Sequence, residues 1–315
     1  MIAIRTVVCP VDFSPATGRQ LRLAIDACRS FGGRLVLHHN VTDVSVGAGV
    51  GWMWHAREPG AQPATESADE GLRRLIALVP PGIPVETCIT RGAATEAVLR
   101  VSDAAEADLV VLSAHAGKTE DHASVIEYLL ARSSHAVLAL HDPGEDDRVP
   151  RFTPADDGGD TMQTVLVPVS LSADAHAQLA FAAELARMFP VRLHVLHVME
   201  PPIDREQRNA GTLAARPQLD ALIPADLRSR AAIHVETGEP VPAIVEMARA
   251  LSASCIVMGE HTRVPVKRWL NHDTARAVLD DAHCPVWYVP SPLAPALSLS
   301  RFALSDERSI IWGNV

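Results

Sequence analysis

Aromatic residues are scarce in this chain of 315 residues, because Phe, Trp and Tyr together make up only 4 % of it. Hydrophobic residues nevertheless account for 48 %, so aliphatic side chains must fill the core. Runs of β-branched aliphatic residues are typical of strands that are buried on both faces of a sheet. The composition therefore predicts a globular α/β protein, and the length is sufficient for two domains of ordinary size.

Basic runs and long apolar runs are also missing. The chain has 28 Lys and Arg against 38 Asp and Glu, which gives a formal net charge of −10. A protein that binds nucleic acid through phosphates normally presents a basic face, so the charge argues against a nucleic-acid partner. No apolar run approaches the length of about 18 residues that spans a bilayer. The first residues lead into a predicted strand without a signal-peptide pattern, so we expect a cytoplasmic protein away from membranes.

Residue patterns that carry catalysis or bind metals are absent from the sequence. Its five cysteines show no metal-type pairing, and we expect buried, reduced thiols. They are Cys9, Cys28, Cys88, Cys255 and Cys284. The 14 histidines lack the spacing of metal ligands, and no Gly-x-Ser-x-Gly motif is present. The sequence therefore predicts neither catalytic residues nor a metal site.

What the chain does contain is an internal repeat. Residues 6–14 (TVVCPVDFS) match residues 164–172 (TVLVPVSLS), and residues 123–140 match residues 272–289. Between these segments lie further matched strands and helices in the same order. This order indicates a tandem duplication.

The alternation of apolar strands and helical patterns predicts the same architecture in each half. We expect five parallel strands with helices on both faces and right-handed crossovers. The predicted domains are residues 1–142 and 163–290, and residues 143–162, rich in Asp, Gly and Pro, are the predicted linker. The sequence predicts no conformation for the tail, 291–315, and no role for the connection 42–66.

Three segments resemble motifs of the universal stress protein family. They are the run Pro10 to Ser14 (PVDFS), the run Met258 to Thr262 (MGEHT) and the run Ala275 to Val286 (ARAVLDDAHCPV). The resemblance covers nearly the whole chain, in tandem. It implies open, doubly wound sheets of the adenine nucleotide alpha hydrolase-like type. It also implies that Val137–Leu140 and Val286–Val289 pair across an internal pseudo-twofold axis.

Some members of this family bind ATP with the motif Gly-x2-Gly-x9-Gly-Ser/Thr after the fourth strand. Glycines let backbone N–H groups approach phosphates at a helix N-terminus. The first unit departs from this pattern, because Ser113, Ala116 and Ala123 replace its glycines and the spacer before Ala123 is six residues long. Ser124 is expected at the start of the next helix. The candidate site residues of this unit are Asp12, Asn40, Ser113, His115, Lys118 and Ser124.

The second unit keeps the motif spacing but changes its chemistry. Ser170 stands where the first unit has Asp12, and Asp273 is expected at a helix N-terminus, where a phosphate would bind. A carboxylate there satisfies the helix and repels an incoming anion. The residues of this degenerate site are Ser170, Val198, Gly259, His261, Thr262 and Asp273.

Three functional hypotheses follow, of which we favour a regulatory or interaction protein of the stress response with weak or no ATP binding. The alternative is an ATP-binding stress protein that uses one site in the first unit and hydrolyses ATP slowly at most. An enzyme of the nucleotide-activating α/β superfamily is less expected, because a Ser-Gly-Gly-x-Asp-Ser type loop is replaced by the run Asp12 to Ala16. We expect the two domains to pair, with a homodimer or a protein partner beyond that. The sequence does not specify the stress or the partner.

Overall fold

The computed structural model describes residues 3–41, 64–114, 120–141, 151–152, 161–171, 177–199, 204–259, 272–290 and 310–314. Strands and helices alternate through the first half. The elements of this half are β1 (Thr6–Pro10), α1 (Thr17–Phe31), β2 (Arg34–Val41), α2 (Ala64–Ile76), β3 (Val85–Arg91), α3 (Ala94–Ala104), β4 (Leu109–Ala114), α4 (Glu120–Arg132) and β5 (Ala136–His141).

The second half repeats this order and adds a 3₁₀ helix and a C-terminal strand. Its elements are β6 (Thr164–Pro168), α5 (Ala177–Met188), β7 (Arg192–Met199), α6 (Arg205–Leu222), the 3₁₀ helix Ala225–Arg230, β8 (Ala231–Thr237), α7 (Pro240–Ala250), β9 (Cys255–Gly259), α8 (His272–Asp281), β10 (Val286–Val289) and β11 (Ile310–Asn314). Among the helices of both halves that the structure describes, none has the length and apolar character needed to cross a bilayer.

The two halves form one sheet of eleven strands in the order β11-β3-β2-β1-β4-β5-β10-β9-β6-β7-β8. Each half contributes five parallel strands, which confirms the predicted fold. The halves join where β5 and β10 run antiparallel, with Leu138 opposite Trp287 and Ala139 opposite Val286. Outward from this junction, the five strands of each half follow in the equivalent order, β5-β4-β1-β2-β3 on one side and β10-β9-β6-β7-β8 on the other. The predicted pairing of the last strands across a pseudo-twofold axis is therefore confirmed.

The helices cover both faces of the sheet. Apolar residues of α1, α2, α5 and α6 pack on one face, and those of α3, α4, α7 and α8 pack on the other. Helices α4 and α8 meet across the junction, where Arg276 lies 3.6 Å from Glu127. All five cysteines are free and buried, as predicted. Burial raises the pKa of each thiol, so these cysteines act as core residues.

Aromatic side chains, rare in the sequence, concentrate at the junction between the halves. Phe152, from the predicted linker, is only 3 % exposed. Its ring centroid lies 5.5 Å from that of Phe31, 5.7 Å from Phe189 and 5.8 Å from Trp287. The backbone N–H of Phe152 donates to the Asp26 carboxylate over 2.6 Å. This part of the linker is therefore anchored in the core.

The C-terminal tail ends in a strand that the sequence did not predict. Strand β11 pairs antiparallel with β3, from Ile310 opposite Thr90 to Asn314 opposite Glu86. The last strand of the chain therefore covers the outer edge of the first domain, far from the second domain that precedes it in sequence.

Equivalent helix ends in the two domains place non-glycine residues in the left-handed region. Glu106 follows α3 with φ 51° and Ser252 follows α7 with φ 47°. This conformation costs an L-residue about 1–2 kcal/mol, whereas glycine adopts it freely. We expect Ser252→Gly to raise the free energy of unfolding by about 1 kcal/mol in urea denaturation. The control Glu246→Gly, inside α7, should lower it by about 1 kcal/mol. Equal effects of the two glycines would contradict this interpretation.

Candidate functional site

The candidate site of each half is a crevice at the carboxyl ends of its parallel strands. In the first half, β1 lies between β2 and β4. The chain leaves β1 toward β2 on one side and later returns to β4 on the other. Ligands of open α/β sheets bind at such a switch point, just beyond the strand ends. Strand β6 occupies the same position between β7 and β9.

Asp12 lies at the mouth of the first crevice, where its carboxylate bonds to the turn that follows β1. Its Oδ1 accepts hydrogen bonds from the backbone N–H of Ser14 at 2.9 Å and from Thr17 Oγ1 at 3.0 Å. These bonds hold the turn that leads into α1, a common role for an Asp in this position. Phe13, which lies between Asp12 and Ser14 in the turn, has φ 59°. Its ring packs on that of His39 with centroids 4.4 Å apart.

Asn40 ends a chain of hydrogen bonds that begins in the core. Its Nδ2 donates to Gly92 O at 2.9 Å, and its Oδ1 accepts from Thr90 Oγ1 at 2.9 Å. Because the Thr90 hydroxyl donates its proton to Asn40, it accepts from His38 Nε2, 2.7 Å away. His38 is therefore the Nε2–H tautomer. Its Nδ1 is buried and has no hydrogen-bond partner among the described residues, and burial lowers the pKa of His38 to about 3.

A histidine links the strand ends in both crevices. The ring Nδ1 of His39 lies 2.8 Å from Val11 O, and that of His197 lies 3.0 Å from Val169 O. A carbonyl oxygen can only accept, so each Nδ1 carries the proton. The two histidines thus tie the second strand of each half to the turn after its first strand.

A buried glutamine on the first helix of each half distinguishes the two crevices. Gln20 Nε2 donates to Pro10 O and to Val111 O, the latter at 2.8 Å, and so joins β1 to β4. In the second half, Gln178 Nε2 is buried without a hydrogen-bond partner in the part of the chain that the structure describes. A side chain added at Gly259 would collide with the Gln178 amide. This glycine therefore has a packing role in addition to its place in the phosphate motif.

Helix α4 begins earlier than the motif alignment suggests. The expectation that Ser124 starts this helix is wrong, because the helix begins at Glu120 and Ser124 follows one turn later. Glu120 and Asp121 therefore occupy the first turn, and in the second half Asp273 is the second residue of α8. Backbone N–H groups at a helix N-terminus attract anions, but carboxylates in the same turn compete for that role.

The other candidate residues are described only in part. Ser113 and Ser170 are half-buried at strand ends, and Val198 packs against the core cluster on the face covered by α3, α4, α7 and α8. Asp12, Asn40 and Ser113 lie near one another at the carboxyl ends of the three neighbouring strands β1, β2 and β4. Four candidates lie outside the described residues, namely His115, Lys118, His261 and Thr262.

Comparison with protein families agrees with this geometry. A model of the universal stress protein family matches residues 3–141 and, separately, residues 161–290. The chain belongs to the universal stress protein family. The two matches together cover most of the chain and correspond to the two halves of the sheet, so this is a tandem universal stress protein.

Solved structures of this fold resemble the tandem universal stress protein along nearly its whole length. A universal stress protein from Archaeoglobus fulgidus aligns with a TM-score of 0.57 at 15 % identity, over 91 % of this chain and 96 % of that chain. A candidate universal stress protein from Pseudomonas aeruginosa aligns with a TM-score of 0.58 at 14 % identity, over 91 % and 94 %. At these identities the likeness shows the fold alone. A comparison with curated proteins finds no match.

Sequence reasoning missed the residues that organise the crevices from beneath. Gln20 and Gln178 occur at the same place in the repeat, each on the buried face of an amphipathic helix. A polar residue repeated on an apolar face was the pattern that could have indicated them. Thr90 and His38 carry no comparable pattern, since their second-half counterparts are Glu236 and Leu196. No group of three potential metal ligands occurs within the described ranges.

Proposed function

We propose that this universal stress protein is a regulatory or interaction protein of the stress response whose two degenerate crevices bind ATP weakly or not at all. The observation that carries the proposal is that polar side chains of the first crevice already bond within the protein. The proposal includes a non-enzymatic role and a cytoplasmic location. It favours a protein partner over nucleic acid, in keeping with the net charge of −10.

The side chains of Asp12 and Asn40 support this proposal most directly. Asp12 Oδ1 accepts two bonds from its own turn, and both polar ends of the Asn40 amide are engaged by Thr90 and Gly92. A nucleotide that displaced these internal partners would break bonds of about 1 kcal/mol each. The same atoms stabilise the fold without a ligand, so their presence does not require one.

The helix N-termini support the proposal independently. Glu120 and Asp121 belong by sequence to the first turn of α4, and Asp273 belongs to the first turn of α8. Negative charge at a helix N-terminus is stabilised by typically 0.3–1 kcal/mol. Carboxylates in the first turn of a helix already use the stabilisation that its N-terminus gives to negative charge. They also repel an incoming phosphate.

The alternative is a single ATP site in the first crevice. It is favoured by Asp12, because the equivalent residue of the second half, Ser170, has no carboxylate. The proposal and the alternative differ in whether Asp12 contacts a nucleotide or forms hydrogen bonds only within its own turn.

Thermal unfolding with and without ATP and Mg²⁺ tests the proposal. A ligand at 100 times its Kd adds about 2.7 kcal/mol to stability, whereas one at or below its Kd adds about 0.4 kcal/mol or less. We expect millimolar ATP to leave the unfolding midpoint nearly unchanged. The matched variant is Asp12→Ser, which places the residue of the second half in the first and keeps a side-chain oxygen that can accept a hydrogen bond from the turn. A large ATP-induced shift that Asp12→Ser abolishes would favour the alternative.

A further inference from the structure

The second half contains a pair of histidines that the first half lacks. His194 Nδ1 and His234 Nε2 lie 2.9 Å apart on the neighbouring strands β7 and β8. The ring centroids are 5.1 Å apart, so the two rings meet through these nitrogen atoms. His194 is only 9 % exposed, and His234 is half-buried. The contact is therefore an imidazole–imidazole hydrogen bond that is largely withdrawn from solvent.

The fold does not require histidine at these two positions. In the strand register, Val36 and Cys88 occupy the same places in the first half. They share a buried apolar cluster with Val8, Val101, Ala105 and Ala107. An apolar pair packs without a hydrogen bond, whereas a buried polar pair stabilises the protein only while its bond is made. At the same point of the sheet, the second half thus carries a contact that depends on the number of bound protons.

The hydrogen bond between the rings tolerates one added proton but not two. In the neutral pair, one ring donates its N–H to the bare nitrogen of the other. One added proton produces an imidazolium that still donates to a neutral ring. A second added proton leaves two N–H groups facing each other at 2.9 Å and two like charges on neighbouring strands, which is destabilising. Protonation of both rings must therefore separate them.

The charges around the pair oppose its protonation on balance. Arg192 of β7 acts on His194, and Arg216 of α6 acts on His234, where Glu236 of β8 has the opposite effect. Burial is the main cause that lowers the pKa of both rings. Strand β6, on the other side of β7, has no ionisable residue. Other charged residues of the elements packed here interact with different groups or are exposed, among them Asp220 of α6, Asp226, Arg228 and Arg230 of the 3₁₀ helix, and Glu246 and Arg249 of α7.

Strand β8 can respond to a broken contact because it is the least buried strand of its half. None of its seven residues is fully buried, whereas four of the eight residues of β7 are. On its outer side, no further strand occurs among the described residues. A segment with few buried contacts can open locally without unfolding of the domain.

We propose that the His194–His234 pair is an acid-sensitive switch that holds β8 on β7 while at most one ring is charged and releases β8 when both are. In the open state each ring reaches water, where the pKa of a histidine is about 6.5. The open state then binds protons that the closed state excludes, so opening must increase as the pH falls below about 6.5. Between pH 7 and pH 5, the opening equilibrium of β8 should rise at least about tenfold.

Native-state hydrogen exchange of the full chain at pH 7 and pH 5 tests this switch. The protection factors of the β8 amides, which correct for the intrinsic effect of pH on exchange, should fall at least about tenfold in the wild type. The matched variant is His194→Val with His234→Cys, which places the two residues of the first half in the second. In this double variant the protection of β8 should change little between the two pH values.

A second variant and a urea series complete the test. His234→Gln keeps a hydrogen-bonding partner for His194 but removes one titratable ring, so its pH effect should lie between those of the wild type and the double variant. Low urea should hardly change the exchange of β8, because local opening exposes little surface, while exchange of the central strand β9 should rise with urea. A wild-type β8 whose protection does not depend on pH, an equal pH effect in His234→Gln, or β8 exchange that follows urea as β9 does would each overturn the proposal.

Discussion

Replacing Phe152 with alanine should lower the free energy of unfolding by about 3–5 kcal/mol, as for other large aromatic side chains removed from a core. Phe152 belongs to the predicted linker, where a truncation would ordinarily have little effect. In this protein its ring fills the space between Phe31, Phe189 and Trp287. The truncation would leave a cavity where the two halves of the sheet meet.

Urea denaturation measures the effect, and an exposed residue serves as the control. Leu213 is 75 % exposed, so Leu213→Ala should change the free energy of unfolding by less than about 0.5 kcal/mol. If Phe152 also couples the halves, its variant should unfold over a broader range of urea concentration than the wild type, or in more steps. Equal losses in the Phe152 and Leu213 variants would contradict the anchoring role of the linker.

The second large effect concerns acid and His38. The folded-state pKa of His38 is lowered to about 3, first by burial and then by His39 and Arg100, from a usual value of 6.5. Between these values the unfolded chain binds a proton that the folded chain does not. Stability must therefore fall as the pH falls below about 6.5. Between pH 7 and pH 4.5 the protonation of this single group in the unfolded chain should lower the free energy of unfolding by about 2–3 kcal/mol.

The second half of the chain supplies the matched variant for this prediction, because Leu196 stands where the first half has His38. In His38→Leu the buried, unpaired Nδ1 disappears, while the bond from Thr90 to Asn40 keeps its two partners. We expect a shallower loss of stability in acid, measured by urea denaturation at several pH values. Parallel pH profiles for the wild type and His38→Leu would contradict the assignment.

Some acid sensitivity should remain in His38→Leu. His194 Nδ1 and His234 Nε2 lie 2.9 Å apart between β7 and β8, and this contact requires at least one neutral ring. Burial lowers the pKa of both histidines, although the Glu236 carboxylate opposes this effect at His234. The free energy of unfolding of His38→Leu should therefore still fall as the pH falls, but less steeply than that of the wild type.

The fold was predictable because the sequence contains it twice. Matched strands such as 6–14 and 164–172 specify the same order of elements, and the family resemblance adds the pairing of Val137–Leu140 with Val286–Val289. Strand β11 was not predictable, since a short edge strand is determined by contacts far away in sequence. Its pairing depends on Thr87, more than two hundred residues earlier.

The crevice was predictable in position but less so in detail. Asp12 and Asn40 lie at the expected strand ends, yet their hydrogen bonds turn inward to Thr17, Thr90 and Gly92. A motif alignment identifies residue positions and says nothing about which bonds a side chain prefers. For Ser124 the alignment misled, because the helix gained a turn before the aligned serine.

Calorimetric titration of the full chain with ATP and Mg²⁺ tests the central claim most directly. The account predicts no saturable heat, or a Kd weaker than about 1 mM, for both crevices. One ATP bound per chain with a Kd in the micromolar range, lost in Asp12→Ser, would contradict it for the first crevice. Two ATP bound per chain would contradict it for both.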